Sequence, residues 1–207
     1  MLKKLISRLM LFIVSLFVIG LGIAVPGNAA EFSADMIQKS PMGNTKGKVF
    51  VKGENLRQEM NMGGQNQIMI FQKDKGVVWI LMPGQRMYME MAAGGEQNMA
   101  PPTPEEMEKM AEKKYLGQEK VNGYKCKKYL FTPRDPSVGT TTMWISNKLN
   151  FPIKTEMEGS SGPMSMEYKN IQEKKIPDSL FKIPAGYQKM SMPSMPNMPG
   201  MPGMPKQ

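Results

Sequence analysis

The sequence predicts a mainly β (α+β) domain of about ten or eleven antiparallel strands with one inserted helix, too many strands for a flat sheet and so curved into a partial barrel. Three observations predict it. Short apolar runs recur along most of the chain, punctuated by Gly, Asn, Asp and Pro at the spacing of an antiparallel sheet. Asn122-Gly123 sits between two such runs, and an Asn-Gly pair supplies the two φ > 0 positions a tight hairpin demands. The stretch Gln67 to Met91 reads as three successive strands. Ile68 to Phe71 and Val77 to Met82 are separated by Lys73-Asp74-Lys75-Gly76, and Pro83-Gly84 then reverses the chain through a fixed φ followed by a residue tolerant of φ > 0. After it, Arg86, Tyr88 and Glu90 alternate with Met87, Met89 and Met91, a strand with one thioether face. The middle strand is apolar on both sides, so both need cover: the core on one, a helix or a ligand on the other.

Residues 1–30 carry three basic residues, an apolar stretch from Leu9 to Val25 and then Pro26-Gly27-Asn28-Ala29-Ala30, the layout of a secretory signal peptide cleaved near Ala29 or Ala30. The apolar stretch also reaches the length of the shortest spanning helices, about 17 residues, which keeps an uncleaved anchor open. Residues 31–187 form the domain. Phe32 to Gln38 and Lys48 to Val51 are the first strands, turned by Pro41-Met42-Gly43-Asn44, and Asn55 to Met62 is the next. Gly94 to Pro104 is a loop. Thr103 then caps a helix running to about Lys114, with Pro104 in its first turn, Glu105 and Glu106 favoured by the dipole, and Met107, Met110 and Ala111 on one edge. That helix is expected to lie on the sheet as a lid. Gly117 to Val121 and Tyr124 to Thr132 make the Asn-Gly hairpin. Thr140 to Ser146, Ile153 to Glu158 and Pro163 to Ile171 follow, with Pro177 to Phe181 a short closing element. Residues 188–207 repeat Met-Pro-X and cannot bury a core, so they read as a disordered tail.

Composition narrows the function. The net charge is +9, of which Lys3, Lys4 and Arg8 of the leader contribute three. This balance suits an anionic membrane surface, and no nucleic-acid module accompanies it. Histidine is absent, which removes the commonest general base and metal ligand together. The carboxylate pairs Glu105/Glu106 and Glu156/Glu158 fit solvated surface. The chain therefore reads as a non-enzyme without a cofactor. Cys126 is the sole thiol, either a small buried hydrophobe or a thiol activated by Lys125, Lys127 and Lys128.

Several motifs resemble a known family. GQEKVNGYKCKKY at residues 117–129, with Gly117, Val121, Gly123, Tyr124, Cys126 and Tyr129, is followed by Met143-Trp144-Ile145-Ser146, Leu149-Asn150-Phe151-Pro152 and Phe181-Lys182-Ile183-Pro184-Ala185-Gly186-Tyr187. Together they resemble a bacterial exported domain family of unknown function related to LolA-like periplasmic lipoprotein carriers, from Phe32 to about Tyr187. The resemblance implies an open half-barrel with helical cover over an apolar concave face, in which LolA-like carriers hold acyl chains. The methionine content, the Met-Pro tail and the single helix depart from that pattern.

Methionine is the remaining signal, at 24 residues. Met60/Met62, Met87/Met89/Met91 and Met164/Met166 sit at strand spacing, and Met157 joins them. Core packing explains such sets, and so does a compliant wall for flexible acyl chains. Soft-metal binding of Cu(I) or Ag(I) is a third explanation. It extends to Met190, Met192, Met195, Met198, Met201 and Met204 of the tail, where methionines three residues apart lie about 9 Å apart along one edge of a polyproline II helix; methionine redox buffering is the related alternative. The leading expectation is an exported, monomeric periplasmic protein that binds an apolar or lipid-like ligand, free or as part of a lipidated protein, on a lining of Trp79, Leu81, Met87, Met89, Met164 and Met166, with Trp144 near the rim. An envelope assembly or stress adaptor is the further alternative.

Overall fold

A computed structural model describes residues 30–93 and 109–190. The predicted leader, the loop after Gly94, the helix start at Thr103 and the tail from Ser191 lie outside the described residues.

The described residues form one sheet of twelve strands. In chain order these are β1 (Glu31–Ser40), β2 (Gly43–Lys52), β3 (Asn55–Met62), β4 (Gln65–Gln72), β5 (Val77–Met82), β6 (Met87–Ala92), β7 (Ala111–Val121), β8 (Tyr124–Pro133), β9 (Thr140–Ser146), β10 (Pro152–Gly159), β11 (Gly162–Glu173) and β12 (Gln188–Lys189). Their order across the sheet is β12-β6-β5-β4-β3-β2-β1-β11-β10-β9-β8-β7. All neighbours are antiparallel except β12, which lies parallel to β6. The sheet is thus two meanders joined where β1 meets β11.

Two expectations need correction. The inserted helix does not extend to Lys114. Only Lys109 and Met110 of its described part are helical, and Ala111 to Lys114 pair with β8 as the start of an edge strand. Tyr115 and Val121 suit a strand, and pairing with β8 outweighs the helical propensity of Glu and Lys. At Pro83-Gly84 the chain reverses through a 3-10 turn over Pro83–Gln85, and it is Arg86, not Gly84, that takes the left-handed φ of 50°. The short closing element at Pro177 to Phe181 is a 3-10 turn over Asp178–Phe181. The Asn-Gly hairpin is as expected, with φ of 47° and 90° at Asn122 and Gly123.

Register assigns the faces, because paired residues in an antiparallel ladder point to the same side. One face carries Val78 and Ile80 of β5, Met69 of β4, Val49 and Val51 of β2, and Phe32 and Met36 of β1. This face holds most of the main core cluster, which runs without a break from Met89 on β6 to Phe151 and Tyr168 beside β10 and β11. Phe151 packs edge-on against Phe32, ring centres 5.2 Å apart, and against Tyr168 at 5.6 Å. Gln58 of β3 reaches Tyr168 of β11 across two intervening strands. A face whose side chains meet over such separations is the concave one, as the accumulated twist of a long sheet requires.

The other face of β3 to β5 has the cover that its apolar residues demand. It is the C-terminal segment, neither helix nor ligand. Ile176 and Phe181 are buried against Ile70, Trp79 and Leu81, with Leu180, Ile183 and Tyr187 packed around them. Side chains of the sheet hold this strap by its carbonyls: Arg57 Nη1 donates to Leu180 O at 2.8 Å, Gln72 Nε2 to Phe181 O at 2.5 Å, and Lys52 Nζ to Ile176 O at 3.1 Å. In return Ile176 N–H donates to Glu31 Oε1 at 2.7 Å. The strap ends in β12, whose following residue, Met190, donates its N–H to Tyr88 O at 2.8 Å.

Cys126 is fully buried in the main cluster, and burial pushes its thiol pKa up. The neighbouring lysines do not activate it.

Two outcomes follow. Phe181→Ala should cost about 3–5 kcal/mol in denaturant unfolding, the loss for a fully buried aromatic, and red-shift the emission of Trp79. Cys126 should resist a thiol reagent in the folded protein and react at once in denaturant; fast labelling under native conditions would contradict its burial.

Candidate functional site

The period-2 alternation of the strands sorts the methionines. On β6, Met87, Met89 and Met91 pair with Met82, Ile80 and Val78 of β5, all on the concave side. On β1 to β3, Met36 and Met60 pair with Gly47 from either side. On β9 to β11, Met143 pairs with Thr155 and Thr155 with Met166, while Met157 pairs with Met164. Met36, Met60, Met69, Met89 and Met166 are buried in the main cluster, with Met82 and Met91 packed against it, while Met143 and Met157 pack in a separate cluster with Phe131 and Ile145. Met190 follows β12 and packs against the main cluster. Of the others described, Met42 and Met110 are exposed at 77% and 54%, in a turn and just before β7. No described methionine packs beneath the strap.

Space is made for these side chains. A Cβ on Gly47 would come within 2.3 Å of Glu59 O, 3.0 Å of Met60 Cγ and 3.2 Å of Met36 Cε, so the missing side chain lets two methionines converge above the backbone. The centre of the face is filled: Met36, Met60, Met69, Met143 and Met166 are each no more than 5% exposed. Its margins are not. Met82, Met87 and Met91 at one end, and Met157 and Met164 at the other, are only half-buried.

The expected lining is therefore divided. Met87, Met89, Met164 and Met166 are on the concave face. Trp79 and Leu81 are on the opposite face beneath the strap. Trp79 is oriented there by Glu90, whose Oε2 accepts its Nε1–H at 2.9 Å, and Lys75 Nζ lies 5.1 Å from its ring centre. The Lys189 ammonium, then the Trp79 indole, hold the Glu90 carboxyl below the usual range. Trp144 points to the other side of β9 from Met143, in one row with Lys128 and Lys154. Their ammonium groups lie 4.8 and 4.3 Å from its ring centre, and its Nε1–H donates to Glu119 Oε2 at 2.6 Å. Lys128, then Trp144, hold the Glu119 carboxyl low. A register shift between Pro152 and Lys154 bends β10 beside it, and Trp144 and Cys126 join the main cluster there. Trp144 is thus a buried ring of the main cluster with two ammonium groups over it. Sequence reasoning missed Met36, Met69, Met82 and Met143, because each stands alone in its strand and shows its face only through register.

A second concavity is open to solvent. Gly123, Tyr124, Lys125, Asn147, Lys148 and Glu173 enclose about 610 Å³ between the Asn-Gly hairpin, the β9–β10 loop and the end of β11. Glu173 Oε1 accepts from Tyr124 OH at 2.9 Å and Lys148 Nζ at 2.7 Å. Burial, then the Glu173 carboxylate, push the Tyr124 hydroxyl up to about 12. Among the described residues no cluster of three or more His, Cys, Asp or Glu could hold a metal, and no helix is long and apolar enough to cross a membrane. Met190 is the one predicted tail ligand for a soft metal among the described residues; Met192, Met195, Met198, Met201 and Met204 lie outside them.

Comparison with known proteins sets this geometry among its relatives. No curated protein sequence matches the chain. Among solved structures, an uncharacterized conserved protein from Thermus thermophilus is similar at TM-score 0.57 and 9% identity, over 78% of this chain and 90% of that one. The Pseudomonas aeruginosa MucA/MucB complex is similar at TM-score 0.52 and 12% identity, over 75% of this chain. There this chain spans only 56% of its counterpart's length. A LolA superfamily protein, NE2245 from Nitrosomonas europaea, aligns over 77% of this chain and 92% of its own at 14% identity, with TM-score 0.36. The family described as Domain of unknown function (DUF4412) matches residues 33–150 and 147–187, which takes in the strands from β1 to β11 and most of the strap. The chain belongs to the DUF4412 family.

Proposed function

We propose that this chain is an exported, non-enzymatic binding protein whose concave face takes up a flexible apolar chain, the acyl part of a lipid or of a lipidated protein. One observation carries the reading: no described strand methionine packs beneath the strap, and those of β1, β3, β4, β5, β6 and β11 share one side of the sheet by register. Ordinary core packing has no reason to exclude methionine from the strap side, which is equally apolar. Thioether side chains are unbranched and polarisable, and they repack around ligands of varied shape. The half-buried methionines at both margins leave apolar surface within a ligand's reach. At about 0.8 kcal/mol per buried methylene, part of one acyl chain offsets the several kcal/mol that association costs. The positive charge of the chain suits delivery near an anionic membrane surface.

The fold shared with the MucA/MucB complex, in which the structure holds two proteins, favours a protein partner as the second reading. An exposed edge strand such as β7 would then be the contact. The readings separate on the methionines. Uptake of a fluorescent acyl probe should fall at least about tenfold in a Met87→Glu, Met91→Glu double variant, since each charge meets an apolar contact, while Met42→Glu in the exposed turn should leave it unchanged. Equal uptake by all three proteins, or none by any, would remove the acyl reading.

A further inference from the structure

One residue of the concave face breaks the chemistry around it. Gln58 of β3 stands in the row Met69–Gln58–Val49–Ala34, with Leu56 and Met60 beside it on the same side of the strand. It is 1% exposed. Its Nε2 donates to the Tyr168 hydroxyl at 3.5 Å, a long bond. Tyr168 is itself 1% exposed and donates its proton to Met166 Sδ at 3.0 Å. The Tyr168 hydroxyl thus gives its proton to sulfur and turns a lone pair toward the amide nitrogen. The carbonyl oxygen Oε1 is left buried and without a hydrogen-bond partner.

An acceptor desolvated and unpaired is unfavourable, and a methionine of nearly the same length would fill the volume without that penalty. The chain uses methionine at neighbouring positions of this face, so the amide stands where the cheaper residue was close at hand. The other buried amide oxygen without a partner, on Gln72, belongs to a side chain with a structural task, since its Nε2 anchors the strap at Phe181 O. Gln58 has only the long bond to Tyr168.

We propose that Gln58 Oε1 is a hydrogen-bond acceptor subsite of the acyl-binding face, reached when Met60 and Met69 beside it repack around the ligand, and that it selects apolar chains that carry a hydroxyl or amide N–H over chains that carry no donor. The inference rests on the acyl reading and names its ligand more narrowly. An ionised carboxylate is acceptor-only and would meet Oε1 with like charge, so the donor is an alcohol or amide, at the head of the molecule or along its chain.

The test is displacement of a fluorescent acyl probe by a long-chain primary alcohol and by its methyl ether, which has the same apolar chain and no donor. In the natural protein the alcohol should bind about tenfold more tightly, the worth of one satisfied buried acceptor. Gln58→Met should bring the ratio close to one, leave the ether's affinity unchanged or higher, and not lower Tm. Gln58→Leu gives the same comparison should the longer side chain fail to pack. An ester with a mid-chain hydroxyl, set against the primary alcohol, distinguishes a chain donor from a headgroup donor. Equal binding of alcohol and ether in the natural protein, or a preference that survives both substitutions, would overturn the subsite while leaving the acyl reading intact. Failure of both competitors to displace the probe would overturn the subsite and the acyl reading together.

Discussion

Strand register is the constraint on which the rest of this molecule depends. Side chains alternate with a period of two, so a slip of one residue in any strand would transfer its whole apolar set to the wrong face. In β6 the slip would exchange Met87, Met89 and Met91 for Tyr88 and Glu90. It would also part Glu90 from Trp79 and from Lys189, to which it is linked at 2.9 and 2.7 Å. Both faces of this end of the sheet thus reject the alternative, one by hydrophobic burial and the other by polar partners. Tight turns add to the specification, and Asn122-Gly123 sets the pairing of β7 with β8 as far as the shift between Gly117 and Tyr115.

With register fixed, the two faces divide the labour. The strap side is closed by the protein itself: Phe181 and Ile176 fill the surface over Ile70, Trp79 and Leu81, and three side-chain donors hold the strap's carbonyls. The concave side collects thioethers instead, packed at its centre and half-exposed at its margins. Rigidity and compliance are separated by the thickness of one sheet. A binding protein for a flexible ligand needs that separation, because a wall that repacks must be backed by one that does not.

Much of this was legible in the sequence. Asn55–Met62, Val77–Met82 and Thr140–Ser146 announce their strands by alternation and turn residues, and the Met-x-Met spacing on β6 announces its thioether face. What stayed hidden follows from distance along the chain. Trp79 and Leu81 are as apolar as Val78 and Ile80, and nothing local says which pair faces the concavity. The answer lies far along the chain in Phe181 and Ile176. Trp144 looks like a ligand-facing aromatic until register sets Lys128 and Lys154 on either side of it. The expected helix failed at Ala111 because local preference for helix in a Glu- and Lys-rich segment is weak beside a full ladder of pairing with β8. Gln58 could not be singled out at all, since its isolation is a property of the assembled face.

Whether the thioether face is a lining or merely a filling is tested most directly by mass spectrometry of small molecules extracted from the protein purified out of its native envelope. A lining predicts co-purifying lipids or acyl-bearing species at a defined stoichiometry. Protein that arrives free of lipid and takes up no acyl probe, or that carries copper in place of lipid, would contradict it.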